Sequence, residues 1–314
     1  MAPDGNQVTS NADDIVAEEY WAKKGDVDLF VFRKYAKDVK PNGKVLFIVH
    51  GSSNSSRTSC DLTVPGEGEY SMMNTFARWG YDVWTMDHEG YGRSSKTDSF
   101  SYIADAVDDL AAAMPIVEEK TGQKSYMFYG GSSGALREGM FQHAFPERVE
   151  RMCMAAFPYT GKDAPALIKR AQRLDEWQAT NTRKVDADYY LNMFTRDTTG
   201  LTSPNLPEAA AAMEMANGGG SVPNGTYVDM CINLPVLDPK KITCSVMILR
   251  GDHDGITTDA DMMDFYDNLG TRDKQMVMMS GMAHNIPVGL NRHRFWHVLR
   301  GFLEIPDRVD DLKD

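Results

Sequence analysis

The 314 residues lack any apolar run approaching the 18 or more needed to cross a bilayer. The opening stretch, MAPDGNQVTSNADD, has neither the basic n-region nor the apolar h-region of a signal peptide. Cysteine is scarce: Cys60, Cys153, Cys231 and Cys244 are widely spaced and form no CxxC pair. That spacing argues against a disulfide framework and makes reduced thiols the expectation. Positive charge is also in deficit, with 33 Lys and Arg against 45 Asp and Glu, a net charge of −12. Nucleic-acid binding draws its affinity from clustered cations, so a phosphate-tracking partner does not fit. Neither a G-x-x-x-x-G-K-[ST] loop nor a G-x-G-x-x-G fingerprint occurs, and no internal repeat or long low-complexity tract is found. These absences leave a cytoplasmic globular protein, without nucleic-acid or membrane partner, as the expectation. A hydrophobic share of 42% and 10% aromatics are enough for a substantial core.

At this length one large domain, or one domain carrying an insertion, is expected. Residues 1–14 read as a solvated tail. Lys44–Val49 is the continuous apolar run KVLFIV, the mark of a strand buried on both faces of a parallel sheet. Strand patterns recur at Leu29–Tyr35, Asp82–Met86, Ser125–Tyr129 and Val149–Phe157, with helical spacing between them at Tyr70–Trp79, Ile103–Glu119 and Ala135–Phe145. The alternation predicts an α/β fold, a mostly parallel doubly wound sheet with helices on both faces. Residues 158–241 interrupt the rhythm with helix-like pieces at Ala164–Thr180, Asp186–Phe194 and Glu208–Ala216 and a loop at Gly218–Gly220. Strand and helix then alternate again over Cys244–Leu249, Asp259–Leu269, Gln275–Met279 and Arg294–Leu303. The expected organisation is a core of residues 15–157 and 242–314 with a helical lid, 158–241, inserted between two strands.

The strongest local signal is Gly130-Gly131-Ser132-Ser133-Gly134, a G-x-S-x-G pentapeptide between a predicted strand and a predicted helix. A nucleophile on so sharp a turn needs small flanking residues, and the helix N-terminus behind it favours developing negative charge. A plain Gly/Ser loop is the competing reading. Ser133 competes within the motif, but only Ser132 has glycine at both −2 and +2. A serine needs a base, and the base an orienting carboxylate. Of the seven histidines, His284 stands in a loop immediately after the last predicted strand, whereas His143, His293 and His297 fall in or beside helices. His253 lies in Gly251-Asp252-His253-Asp254-Gly255, a loop that reads better as the source of the carboxylate. Asp252 and Asp254 both qualify, with Asp254 preferred. D-x-D-G also resembles part of a calcium loop, but most ligand positions are missing.

With these motifs in place, residues 29–304 resemble an α/β-hydrolase. The order Ser132, Asp254, His284 is the family's order. His50-Gly51-Ser52 resembles its oxyanion loop, and Asp87-His88-Glu89-Gly90-Tyr91-Gly92-Arg93-Ser94 its D-x-x-G-x-G-x-S turn. The resemblance implies backbone N–H groups of Ser52 and Ser133 facing a substrate carbonyl oxygen, and a cap where residues 158–241 fall. It implies a serine hydrolase without metal or organic cofactor. Enzymes of this fold with an aspartate nucleophile, such as haloalkane dehalogenases, are disfavoured by serine at position 132.

The insertion carries six aromatics and four methionines, of which Trp177, Tyr190, Met193, Phe194 and Tyr227 are candidate substrate-binding residues. Its 9 basic and 10 acidic residues balance, so it declares no charged substrate. A medium-to-large, mostly apolar ester or lactone is the expected small-molecule partner. The chain as a whole also resembles the serine-dependent macrolide esterases. A C–C bond hydrolase or amidase with the same triad, or a non-catalytic binding protein on the same scaffold, are the alternatives.

Overall fold

The structure is a computed structural model and describes residues 14–309. Residues 1–13 of the expected tail lie outside the described residues; Asp14 is pinned by Arg78, whose Nε lies 2.9 Å from Asp14 Oδ2. The chain opens with a hairpin of β1 (Ile15–Lys24) and β2 (Val27–Ala36), turned at Gly25 with φ +57°. There follow β3 (Val45–Val49), α1 (Ser56–Cys60), α2 (Met72–Arg78), β4 (Asp82–Met86), α3 (Ala106–Thr121), β5 (Tyr126–Gly131), α4 (Ser133–Ala144) and β6 (Val149–Ala155). The insertion holds α5 (Pro165–Ala171), α6 (Leu174–Ala179), β7 (Thr182–Lys184), α7 (Ala187–Thr195), α8 (Leu206–Ala216), β8 (Ser221–Pro223) and α9 (Gly225–Ile232). The core then closes with β9 (Ser245–Gly251), α10 (Asp259–Asp267), β10 (Lys274–Met279) and α11 (Arg292–Leu303).

Eight strands form one sheet in the order β1-β2-β4-β3-β5-β6-β9-β10. From β4 to β10 all neighbours run parallel, and only β2 pairs antiparallel with β4 and with β1. Side chains alternate across such a sheet, so a strand covered on both faces must be apolar at every position. In β3, Val45, Phe47 and Val49 enter one core, shared with Leu110 and Val117 of α3 and Phe141 of α4. Leu46 and Ile48 enter the other, shared with Phe76 of α2 and Phe295, Leu299 and Phe302 of α11. The doubly wound expectation therefore holds. β1 was not foreseen, because it is an edge strand: its burial alternates but its residue types do not follow, with Glu18 on the inward side and Trp21 exposed, and only Ala22 is fully buried.

The insertion leaves the sheet after β6 and returns before β9. Asp261 of α10 anchors its start, its carboxylate accepting the Tyr159 and Thr160 N–H groups at 2.7 and 2.8 Å. The expected single helix Ala164–Thr180 is two, α5 and α6, broken at Gln172-Arg173. Short α9 is an element that the sequence pattern does not announce; its helix is secured by burying Tyr227, Val228 and Met230 rather than by propensity. Tyr190, Leu206, Ala210 and Val222 join Leu62, Tyr70 and Tyr91 in one apolar cluster that welds insertion to core. Glu214 of α8 is buried in that join, accepting both the Ser55 N–H and the Ser55 hydroxyl at 2.9 Å. Among the described residues no helix is long and apolar enough to cross a membrane.

One close approach governs how β5, α4 and β3 meet. A Cβ on Gly134 would lie 2.2 Å from the Val49 carbonyl oxygen, and one on Gly130 would lie 2.5 Å from the Gly134 carbonyl carbon. Neither obstacle is a flexible side-chain tip. Gly134→Ala should therefore force α4 away from β3, at about 2–3 kcal/mol. The thermal midpoint should fall by roughly 3–5 °C. Calorimetry on the purified variant checks this, and an unchanged midpoint would show that the approach can relax.

Candidate active site

The turn from β5 into α4 holds Ser132 at φ 57°, ψ −124°, a strained backbone for a residue with a side chain. Ser132 N donates to the Ala155 carbonyl oxygen at 2.8 Å, which ties the turn to the end of β6. The half-buried Ser132 side chain lines a cavity of about 80 Å³ together with His284 and Phe194. His284 follows β10 and Asp254 follows β9, so neighbouring parallel strands deliver both loops to the same end of the sheet. His284 Nδ1 lies 3.0 Å from Asp254 Oδ1 and 3.2 Å from Oδ2. Asp254 is buried, and Oδ1 also accepts the Ile256 N–H at 2.8 Å. Burial pushes the Asp254 carboxyl up, but the His284 charge and hydrogen bond, with Ile256 and Arg196, outweigh it and hold it below the ordinary value. The carboxylate thus stays ionised and fixes a proton on Nδ1, leaving Nε2 able to accept one.

The oxyanion candidates come together as well. Ser52 Oγ donates to Ser133 Oγ at 2.8 Å, joining the loop after β3 to the first turn of α4. The Ser52 carbonyl is held by the Arg183 guanidinium at 2.5 Å and the Tyr91 hydroxyl at 3.3 Å, and the Ser53 carbonyl by the Tyr190 hydroxyl at 3.1 Å. His50 supports the loop from behind: its Nδ1 donates to the Gly51 carbonyl at 2.8 Å and its Nε2 accepts the His88 N–H at 3.1 Å. Burial first, then His88 and Arg137, hold the His50 imidazole well below its usual range, so it stays neutral. The Asp87–Ser94 turn is built the same way. Asp87 Oδ1 accepts the Ser56 N–H at 2.8 Å and Oδ2 the Arg93 N–H at 2.8 Å.

This constellation sits inside the region that decides kinship. The family model described as serine aminopeptidase, S33, matches residues 40–289, most of the chain. The protein belongs to this family of α/β-hydrolases. Several solved structures share the fold. They include a thermophilic esterase from Thermogutta terrifontis (14% identity, TM-score 0.66, covering 91% of this chain and 98% of that one). An epoxide hydrolase from Vigna radiata gives 13%, 0.66, 94% and 99% in the same order. E-2-(acetamidomethylene)succinate hydrolase gives 17%, 0.64, 92% and 100%. At such identities the likeness establishes the fold alone. No curated protein matches the sequence. Membership makes the chain a hydrolase.

Other residues of this α/β-hydrolase fall into place around the cavity. Asp252 does not face His284: it accepts the Gly281 and Met282 N–H groups at 3.0 and 3.3 Å, bracing the loop that carries the histidine. His253 is half exposed, 3.7 Å from Asp252. No group of three or more His, Cys, Asp or Glu side chains able to hold a metal is found among the described residues. Met193, Phe194 and Tyr227 line the cavity at Ser132. Trp177 lines a second, larger cavity of about 410 Å³, whose wall of Arg170, Met193, Arg196 and Tyr227 is shared with the first. Tyr190 lines neither; it is fully buried, stacked on Phe194 with its hydroxyl on Ser53, because α7 turns that face toward the core.

Arg170, Arg183 and Arg196 were missed. The even charge count of the insertion hid them, because it does not say which charges point inward. In the folded chain all five lysines of the insertion are exposed, as are six of its ten acids, while these three arginines are turned inside.

The two aspartates of the acid loop should separate cleanly. Asp254→Asn is expected to lower kcat by about 10³–10⁴-fold, because the imidazole loses its required tautomer. Asp252→Asn should lower thermal stability and leave kcat within about tenfold. Steady-state kinetics with a chromogenic ester reads both, and the reverse ranking would reassign the acid.

Proposed function

We propose that the protein hydrolyses carboxylic esters or lactones through an acyl-enzyme on Ser132. The observation that carries the reading is the His284–Asp254 pair at 3.0 Å, opening on the same cavity as a serine held at positive φ. Ser132 Oγ attacks the carbonyl carbon while His284 Nε2 takes its proton, and Asp254 stabilises the imidazolium that forms. The backbone N–H groups of Ser52 and Ser133 stabilise the oxyanion, assisted by the N-terminus of α4. His284 then protonates the leaving alkoxide. Water, deprotonated by the same histidine, releases the acid and restores Ser132.

Residues 158–241 act as the lid of this site. The cavity at Ser132, about 80 Å³, is about a fifth of the neighbouring 410 Å³, so it suits the compact part of a substrate. The bulk of a larger substrate occupies the outer 410 Å³ cavity, over Trp177 and Tyr227. A macrolide lactone would place most of its ring there. The family description names a serine aminopeptidase, which favours amide cleavage by the same triad as the second reading.

A fluorophosphonate probe tests the nucleophile. One label per chain should appear on the native protein and vanish in Ser132→Ala, with hydrolysis falling by several orders of magnitude. EDTA should leave turnover unchanged. Absence of labelling on a folded protein would point to a binding protein, and metal-restorable loss of turnover would remove the triad mechanism. A screen across ester, lactone and amide substrates ranks the two readings.

The lid aromatics should also part company. Trp177→Ala should raise KM for bulky esters several-fold more than for 4-nitrophenyl acetate, whereas Tyr190→Ala should lower the thermal midpoint and depress both substrates alike. Equal effects of Trp177→Ala on both substrates would make that side chain packing rather than recognition.

A further inference from the structure

The wall between the two chambers is cationic and undercompensated. Arg170 of α5 is 9% exposed and lines both cavities. Its Nη1 has the Met230 sulfur at 3.1 Å, and a thioether is a weak acceptor. Arg196, just after α7, also lines both cavities; its Nε faces Asp197 at 3.2 Å, but its Nη2 is buried without a hydrogen-bond partner. Arg183 differs, because its nitrogens are taken up by the Ser52 and Pro223 carbonyls and by Asn224. Among the described residues no carboxylate lies within 4.0 Å of Arg170 or Arg183. The guanidinium carbons of Arg170 and Arg183 each lie 3.7 Å from the centroid of the Tyr227 ring. Burial opposes ionisation of that phenol, while Arg183, Arg170 and Arg196 pull its pKa the other way, below the ordinary tyrosine value.

Arg170 and Arg196 line the same wall, and Arg170 has only a thioether as hydrogen-bond partner, so a carboxylate entering there would meet guanidinium N–H donors from both sides. We propose that Arg170 and Arg196 bind a carboxylate of the substrate, so that the natural ester is acid-bearing, such as a monoester of a dicarboxylic acid. A phosphate fits less well, since it would bring a second charge toward Asp197 and Asp254. That the anion belongs to an ester substrate rests on Ser132 being the nucleophile; the anion site itself does not. The site favours an acid-bearing ester over a neutral lactone of the same size.

The test uses the full chain and two matched esters, mono-4-nitrophenyl glutarate and neutral 4-nitrophenyl pentanoate. The native protein should prefer the glutarate monoester in kcat/KM by tenfold or more. That preference should collapse at least tenfold in Arg170→Gln and in Arg196→Gln, and Arg170→Lys should restore part of it. Melting curves establish that each variant is folded, and Arg170→Lys carries the test should the glutamine variant not fold. In parallel, glutarate and inorganic phosphate are titrated calorimetrically into Ser132→Ala. Saturable glutarate binding that weakens at least tenfold on adding Arg170→Gln supports the site. A preference near one, with no glutarate binding, overturns it while fluorophosphonate labelling keeps the hydrolase reading. Phosphate binding more tightly than glutarate also overturns it. Should Ser132 fail to label and neither ester turn over, the hydrolase reading falls and glutarate binding alone decides the carboxylate site.

Discussion

The approach of α4 to the end of β3 is the constraint on which the site depends. The two elements can meet only because Gly134 presents no side chain to the Val49 carbonyl. That contact brings the first turn of α4 beside the loop after β3, where Ser52 and Ser133 bond through their hydroxyls. It also bends the β5–α4 turn so sharply that Ser132 is left at positive φ with its side chain in the cavity. The tie from Ser132 N to Ala155 holds the strained turn against the sheet. A parallel sheet makes this economical, because β3, β5, β9 and β10 all end on one side and each delivers one loop.

The second layer is the insertion, which serves as more than a cover. Arg183, Tyr190 and Glu214 reach down to Ser52, Ser53 and Ser55, so the loop that follows β3 is held from above by the insertion and from below by His50 and Asp87. The buried Glu214 and Arg183 have no water to fall back on, so these bonds are strained or broken only together with the packing around them. The position of this loop and the packing of the insertion onto the core are therefore one structural event.

Much of the core was legible because the physics that forms it is local or periodic. KVLFIV could only be a strand covered on both faces, and the glycines around Ser132 declared a turn that no larger residue could make. Asp254 was preferred to Asp252 by loop position, and the structure turns Asp254 toward His284 while Asp252 braces the loop. β1 escaped because an edge strand can carry Glu18 inward and Trp21 outward, and α9 because its helicity comes from burial. Tyr190 illustrates the limit of composition: an aromatic in a lid can face the ligand or the core, and only the packing of α7 against Tyr91 and Leu62 settled which.

The sequence by itself determined the doubly wound core, the strand-end loops and the order of serine, aspartate and histidine, since each follows from periodicity and from backbone sterics acting over a few residues. Tertiary structure alone decided the electrostatic character of the cavity. A count of 9 basic and 10 acidic residues is blind to direction. Folding sends the lysines and most of the acids to water, where their hydration is retained, and turns Arg170, Arg183 and Arg196 inward, where carbonyls, a tyrosine ring and a single aspartate receive them. Guanidinium groups tolerate that environment better than ammonium groups because they are weakly hydrated and bond through a rigid planar fork.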